Sequence, residues 1–151
     1  MKRWGCLGAI AWGWGLPLYG CPADLPQLSA QLTAALVPYL NRAYTQTRIP
    51  QMAIAVSVGE LAPLPTQPSA DPPQQLFVSV LTHPRGQRDL TQTAYWLFLA
   101  RYQNRWYLTA VYTRTGDGPP WDVGGGVMAQ ATRRWLRDRC WSEDSQKTSP
   151  N

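Results

Sequence analysis

Two strand-like segments separated by only two residues constrain the fold of this chain more than any other feature. Residues 94–102 and 105–114 are rich in aromatic and β-branched side chains, and only Gln103-Asn104 lies between them. So short a link permits only antiparallel pairing, and Asn104 tolerates the left-handed conformation that a tight turn requires. The sequence therefore predicts a β-hairpin at this position.

Periodic apolar residues predict a helix on either side of the strands. The first begins after Asp24, which can act as N-cap with Gln27 completing a capping-box-like arrangement, and Pro38 should kink or divide it. The last begins after Asp122 and ends near Cys140. The predicted buried stripes are Leu28, Leu32, Leu36, Leu40 and Ala43 in the first helix, and Val127, Met128, Ala131, Trp135 and Leu136 in the last.

Two further strands complete the predicted fold. Residues 52–58 alternate in hydrophobicity and residues 76–81 form an apolar run, whereas residues 61–73 contain five prolines and predict an irregular, exposed connection. The order helix, four strands, helix favours an α+β fold, in which a four-stranded antiparallel meander has both helices packed on one face. This single domain spans 24–141, and the polar tail 142–151 is predicted to be disordered.

The N-terminal segment is typical of a signal for export. Lys2 and Arg3 precede an uncharged, apolar and glycine-rich stretch. Cys21-Pro22-Ala23 ends this stretch with small residues, which predicts a signal peptide of residues 1–23 that is cleaved before Asp24. A helix that spans a membrane needs about 20 apolar residues, which this stretch does not supply. An uncleaved anchor or a buried N-terminal helix is the alternative.

The cysteines leave other interpretations open. Leu18-Tyr19-Gly20-Cys21 resembles a lipoprotein signal of residues 1–20, in which Cys21 would carry a lipid that anchors the protein to a membrane. Cleavage before Asp24 would leave Cys140 as the only cysteine, and we expect it to be unpaired and buried. If Cys21 is retained unmodified, a Cys21–Cys140 disulfide in an oxidising compartment is the alternative.

Both faces of the predicted sheet are apolar, although one layer of helices can cover only one of them. We expect the helices to cover the face that contains Ile54, Val56, Val78, Val80, Tyr95, Leu97, Leu99, Leu108, Ala110 and Tyr112. The opposite face, which includes Val111, is predicted to be partly open and to bind a partner through Phe77, Trp96, Phe98, Tyr107 and Thr109. In one alternative, the helices cover the aromatic face and leave the other face open. In the second, a homodimer buries the open face.

Charged residues suggest few partners. The net charge falls from +5 to +3 when residues 1–23 are removed, because Lys2 and Arg3 are lost without an acidic residue, so no nucleic-acid partner is expected. The last helix carries Arg133, Arg134 and Arg137, which could contact a membrane surface or an acidic partner protein. A solvated helix face is the favoured alternative.

The residues favour a small, non-catalytic exported domain that binds a protein or a small hydrophobic ligand through the aromatic sheet face. One alternative is an extracytoplasmic hydrolase that uses His83 with Asp89 or Ser57, although no Gly-x-Ser-x-Gly motif is present. Another is a structural subunit of a membrane-associated complex. The spacing of the cysteines and the single histidine predict no metal site, and no motif predicts a cofactor.

The segment from Arg105-Trp106-Tyr107-Leu108 to Gly116-Asp117-Gly118-Pro119-Pro120-Trp121-Asp122, with the arginine-rich helix after it, resembles exported cyanobacterial proteins of unknown function. The resemblance covers roughly the last third of the chain. It implies a location in the periplasm or the thylakoid lumen, and it implies no activity, ligand or catalytic residue.

Overall fold

The strands follow one another across the sheet in chain order, as a meander predicts. The computed structural model describes residues 20–141, so the predicted tail and most of the predicted signal peptide lie outside the described residues. Both helices pack on one sheet face, which confirms the α+β fold. The elements are α1 (Leu25–Thr47), β1 (Gln51–Val58), β2 (Gln74–Pro84), β3 (Thr91–Tyr102), β4 (Arg105–Thr113), β5 (Trp121–Asp122) and α2 (Val127–Cys140).

Helix α1 begins as predicted but is not divided. Asp24 Oδ1 accepts a hydrogen bond of 2.9 Å from the Gln27 backbone N–H. Pro38 lies inside the helix, which continues without a break to Thr47, so the predicted division was wrong. The predicted stripe is buried along the whole helix, and we attribute its continuity to this packing, which outweighs the hydrogen bond that proline removes.

Helix α2 begins four residues later than predicted. Asp122 does not cap it, because Asp122 and Trp121 pair with the end of β4 as the short strand β5. The Asp122 side chain instead accepts a 2.7 Å hydrogen bond from the Gly124 N–H, and Gly126 is the N-cap. The apolar stripe of α2 is buried as expected, with Val127 half-buried.

The predicted hairpin is confirmed, but a bulge beyond it reverses part of β4. Gln103 and Asn104 both adopt the left-handed conformation, at φ 49° and 61°. The register then shifts between Phe98 and Leu99 on β3, so that β4 carries one extra residue. Val111 is therefore buried under the helices and not on the opposite face as predicted. The residues that were wrongly assigned to the helix face are Ala110 and Tyr112.

A second bulge changes the pattern of β1. The register shifts between Ala53 and Ala55, which leaves Ile54 as the extra residue. Ile54 was predicted to lie under the helices but is 44% exposed, whereas Ala53 is buried. Alternation alone could not reveal this, because an inserted residue exchanges the two faces of every residue beyond it.

A disulfide joins the first described residues to the end of α2. Cys21 and Cys140 are bonded, with their Cα atoms 4.5 Å apart and a sequence separation of 119. The expectation that Cys140 is unpaired was therefore wrong, and the alternative pairing is the one observed. Within residues 20–141, neither helix is long and apolar enough to cross a membrane.

Candidate binding groove at a sheet edge

The sheet face opposite the helices contains the aromatic cluster that the sequence indicates. The rings of Phe77 and Trp96 lie 5.6 Å apart, and those of Phe98 and Tyr112 lie 5.4 Å apart in an edge-to-face arrangement. Trp96 and Phe98 are nevertheless only 2% and 6% exposed. The expectation that this face is open is therefore wrong at its centre.

Residues 59–73, which we call the proline-rich strap, account for this burial. The Trp96 Nε1–H donates a 3.3 Å hydrogen bond to the carbonyl of Ala62 in the strap. The side-chain amide of Gln75 both accepts from the Leu64 N–H and donates to its carbonyl, at 2.8 Å each. The strap is irregular, as its prolines predict, but these hydrogen bonds hold it against the aromatic cluster.

Gly59 allows the start of the strap to approach Phe77 closely. A Cβ atom added at Gly59 would lie 2.2 Å from the Phe77 ring, a distance that no side chain tolerates without rearrangement. The aromatic cluster therefore forms a second, smaller packed layer between the strap and the sheet. Trp96 and Phe98 are buried in this layer, whereas Phe77 is half-buried.

The other two predicted contact residues lie elsewhere on the sheet. Thr109 is exposed at the β4 bulge, where its hydroxyl donates a 3.1 Å hydrogen bond to the Phe98 carbonyl. Tyr107 lies next to Trp141 at the end of α2, with ring centroids 5.0 Å apart. The five residues that sequence reasoning grouped therefore do not form one surface.

A groove of about 400 Å³ lies between β4 and α2, and we call it the edge groove. This volume is within the range of small-ligand and peptide sites. Three of its residues are buried and give it an apolar floor, while two arginines are exposed at its rim. The lining residues are Trp106, Tyr107, Leu108, Arg133, Leu136, Arg137 and Trp141.

The predicted arginine cluster is divided between two surfaces. Arg133 and Arg137 are one helical turn apart and line the edge groove. Arg134 instead donates a 3.1 Å hydrogen bond to Gln46 Oε1 on α1. Arg133 is partly engaged, because its Nη1 donates to the Gly124 carbonyl at 2.7 Å. Arg137 is therefore the principal candidate for binding an anionic group.

The edge groove contains no acidic residue among the described residues. Asp138, which interrupts the arginine cluster in the sequence, accepts a 2.7 Å hydrogen bond from the Tyr39 hydroxyl on α1. Burial of Tyr39 and this hydrogen bond both raise the pKa of the Tyr39 phenol. Asp138 is thus held on the α1 side of the helix and does not neutralise Arg137 in the groove.

The outer edge of β4 is unpaired beside the groove. β5 pairs only with Tyr112 and Thr113, so the first half of β4 has one neighbouring strand within residues 20–141. In a two-residue hairpin the residues on either side of the turn, here Tyr102 and Arg105, form a hydrogen-bonded pair. Backbone groups along β4 then point alternately towards β3 and away from it. The N–H and C=O groups of Trp106 and Leu108 therefore point outward, away from β3. In the described part of the chain, no backbone hydrogen bond from another segment reaches these two residues.

Trp141 closes one end of the edge groove. The Arg105 guanidinium lies 4.6 Å from the centroid of the Trp141 ring, and the Tyr107 ring meets it edge-on. Cys140 precedes Trp141 directly, so the disulfide to Cys21 fixes the end of α2 beside the strand. The groove is therefore held by a covalent bond as well as by packing.

A second cleft, of about 540 Å³, lies at the C-terminal end of α1 and contains His83. The His83 Nε2 atom is 2.9 Å from the Gln87 carbonyl oxygen. His83 pairs with Met52, and Ser57 lies five residues further along β1, roughly 16 Å away at about 3.3 Å per residue. A hydrolytic pair of His83 and Ser57 is therefore not assembled. No cluster of three metal-ligating side chains occurs among residues 20–141.

No family model, no curated protein and no solved structure matches this chain. The resemblance of its last third to exported cyanobacterial proteins therefore stays a prediction. The groove and its chemistry must be interpreted from this molecule alone.

Sequence reasoning missed several groove residues for identifiable reasons. Arg133 and Arg137 were identified as part of an arginine cluster, but the spacing that places Leu136 beside them on one helix face was available and was not used. Trp141 was excluded because the last helix was predicted to end at Cys140. The open edge of β4 could not be predicted, because it depends on where the two-residue strand β5 stops.

Proposed function

We propose that this protein is an exported, non-catalytic domain that binds an extended acidic segment of a partner protein as an added strand along β4. The observation that carries the proposal is an unpaired strand edge beside an apolar groove with two arginines and no carboxylate among the described residues. Strand addition uses main-chain hydrogen bonds for affinity and side-chain pockets for specificity. The edge groove offers both.

Each part of the groove has a role in this mode of binding. The outward N–H and C=O groups of Trp106 and Leu108 would pair with the backbone of the added strand. An apolar side chain of the partner would rest on the floor next to Leu136. A carboxylate would accept two hydrogen bonds from the Arg137 guanidinium, whose planar fork suits this geometry.

The geometry favours a peptide over a membrane surface or a second copy of the chain. Arg133 and Arg137 lie at the rim of a concave groove, which suits a single carboxylate better than a flat layer of headgroups. A two-fold dimer formed through this edge would bring the arginines of both copies together, and like charges facing each other are destabilising. We therefore favour a different, acidic protein as the partner.

The order of basic, apolar and small residues at the start of the chain supports export. The disulfide supports it too, because such bonds persist in oxidising compartments and are rare in the cytosol. The proposed location is the periplasm or the thylakoid lumen. A soluble form is favoured over a lipid anchor, because the disulfide uses the Cys21 sulfur that a lipid would occupy.

The test uses the purified, oxidised protein and a ten-residue peptide of alternating valine and glutamate. We expect this peptide to bind, with NMR shifts and slower amide exchange at Trp106 and Leu108. A peptide of alternating valine and lysine is the matched control and should not bind. Equal binding of both peptides, no binding of either, or shifts confined to β1 would contradict the proposal.

A pair of variants tests the arginine. We expect Arg137→Gln to weaken binding of the acidic peptide about tenfold, since a hydrogen bond to a charged group contributes about 1.5 kcal/mol or more. Arg88→Gln changes an exposed arginine in the loop before β3 and should leave the affinity unchanged. Equal affinities for the two variants would show that Arg137 does not bind the carboxylate.

A further inference from the structure

We infer that the N-terminal processing site lies before Cys21 and not between Ala23 and Asp24, so that the mature protein retains Cys21-Pro22-Ala23. All three residues are held to the domain by specific contacts. The inference shares with the proposed function only the export of the protein. It does not depend on what the edge groove binds.

Cys21 is held through its disulfide with Cys140, whose side chain is buried at the end of α2. Cleavage before Asp24 would detach Cys21 from the domain. Cys140 would then carry the detached segment 1–23 through the disulfide or would remain as a buried thiol. Neither product would have the covalent link between the start of the domain and α2.

Pro22 is buried and accepts a hydrogen bond from a core side chain. Its carbonyl receives the Nε1–H of Trp106 at 2.8 Å, and Trp106 is only 1% exposed. Removal of Pro22 would leave this indole N–H without its acceptor in the core, which is destabilising. If the signal peptide ended at Ala23, its removal would take away residues that complete the core, and the mature domain would be destabilised.

Ala23 connects to both a strand and a helix. Its carbonyl accepts from Arg101 Nη1, and its N–H donates to Gln27 Oε1 at 3.0 Å. Cleavage before Asp24 would remove both contacts and leave a free ammonium group on the N-cap residue of α1. A positive charge is unfavourable there, because the helix dipole already places partial positive charge at that end.

The sequence offers a suitable bond further upstream. Cleavage between Gly15 and Leu16 places glycine at both small-residue positions, Gly13 and Gly15, after an apolar stretch of ordinary length. Cleavage directly before Cys21 would place Leu18 where a small residue is required. The bond between Gly15 and Leu16 is therefore our specific assignment.

Disulfide formation would follow export. The thiols of Cys21 and Cys140 lose two protons and two electrons as their S–S bond forms, and the disulfide of a thiol–disulfide oxidoreductase in the receiving compartment is reduced to a dithiol. Removal of residues 1–15 also removes Cys6. The mature chain would then contain only the two cysteines that pair.

The test is the intact mass of the full-length chain after expression with export to a bacterial periplasm. We expect the mass of residues 16–151, no thiol available to an alkylating reagent before reduction, and two alkylated cysteines after it. A cut elsewhere before Cys21 with the same thiol result supports the inference but moves the bond. A mass of 24–151, a lipid adduct on Cys21 or an uncleaved chain would overturn it.

Two matched variants separate the competing bonds. Gly15→Leu places a large residue at the last position before our assigned bond, so the product of residues 16–151 should disappear. Ala23→Leu places a large residue before the competing bond between Ala23 and Asp24. Because Ala23 is exposed, this variant should still give the product of residues 16–151. The opposite pattern would assign the cut to Ala23. Peptide binding can fail while this result stands, so the two proposals fail separately.

Discussion

Strand β1 and the first half of β4 both have a free side, but the rest of the described chain blocks only the free side of β1. The Asn41 side chain on α1 pairs with β1, where its Nδ2 donates to the Ala53 carbonyl at 3.1 Å and its Oδ1 accepts from the Ala53 N–H at 2.7 Å. The amide of Asn41 thus takes the place of a neighbouring peptide group. The bulge at Ile54 further interrupts this edge.

No comparable side chain caps Trp106 or Leu108 in the described part of β4. Exposed strand edges favour unwanted pairing, and proteins commonly block them with bulges, charges or covering segments. β1 needs such a block because Met52, Ile54 and Val58 are all exposed on it. The comparison suggests that β1 is protected from pairing, whereas β4 is available for it.

Loss of the disulfide should have the largest effect and should act on the β4 side. The Cys21→Ser, Cys140→Ser double variant removes a link across 119 residues, and loop-closure entropy predicts a loss of about 5 kcal/mol in the free energy of unfolding. Guanidinium denaturation measures this loss. Amide exchange should accelerate more at Trp106 than at Ala53, and a uniform change would argue against a local role.

Asn41→Leu should open the β1 edge. The Ala53 N–H and C=O would lose their partner, which costs about 2–4 kcal/mol, and the apolar strand would then associate with itself. Denaturation and size-exclusion chromatography at increasing concentration measure the two effects. Gln46→Leu is the control, because it makes a similar change at an exposed α1 residue that contacts Arg134 on α2 and not β1. A monomeric, fully stable Asn41→Leu protein would disprove the protective role.

Two buried tryptophans allow the hydrogen bond behind the edge groove to be measured. Trp106 Nε1 donates to Pro22, whereas Trp135 Nε1 has no acceptor among residues 20–141. Trp106→Phe and Trp135→Phe remove similar volumes from buried sites, so we expect Trp106→Phe to cost about 1 kcal/mol more. Urea denaturation of both variants measures the difference, and equal losses would contradict the expected contribution.

A further effect should appear only at alkaline pH and should not distinguish the edges. Burial, with a smaller contribution from Tyr44, raises the pKa of Tyr95 in the central strand from 10.0 to about 12. The unfolded chain loses this proton first, so the stability present below pH 10 should fall as pH rises towards 12. Tyr95→Phe should make unfolding less pH-dependent in that interval, and an unchanged slope would contradict the shift.

The fold was predictable where local pattern determines it. The leucine stripe of α1, the Gln103-Asn104 hairpin and the Asp24 cap all follow from spacing and residue type. The bulge at Ile54 and the position of the proline-rich strap were not predictable, because each depends on contacts between segments that are distant in sequence. The burial of Trp96 was not predictable either, because the strap covers this residue.

The candidate site was predictable only in pieces. Tyr107, Arg133 and Arg137 were each identified, but on two unrelated surfaces. The packing of α2 beside the edge of β4 brings them together, and this packing has no signal in the local sequence. A short alternating pattern indicates which residues point the same way only as long as the strand has no insertion.

The 4.5 Å separation of the Cys21 and Cys140 Cα atoms also makes the domain nearly a closed ring. Both ends of the described chain leave the domain at one corner, beside Trp141 and the edge groove. A tag, tether or fused domain attached at either end would therefore be delivered to the same place, at high local concentration. A candidate ligand could be attached to the protein at this corner. Gly86 lies in a turn away from this corner, and new chain ends could be introduced there by circular permutation.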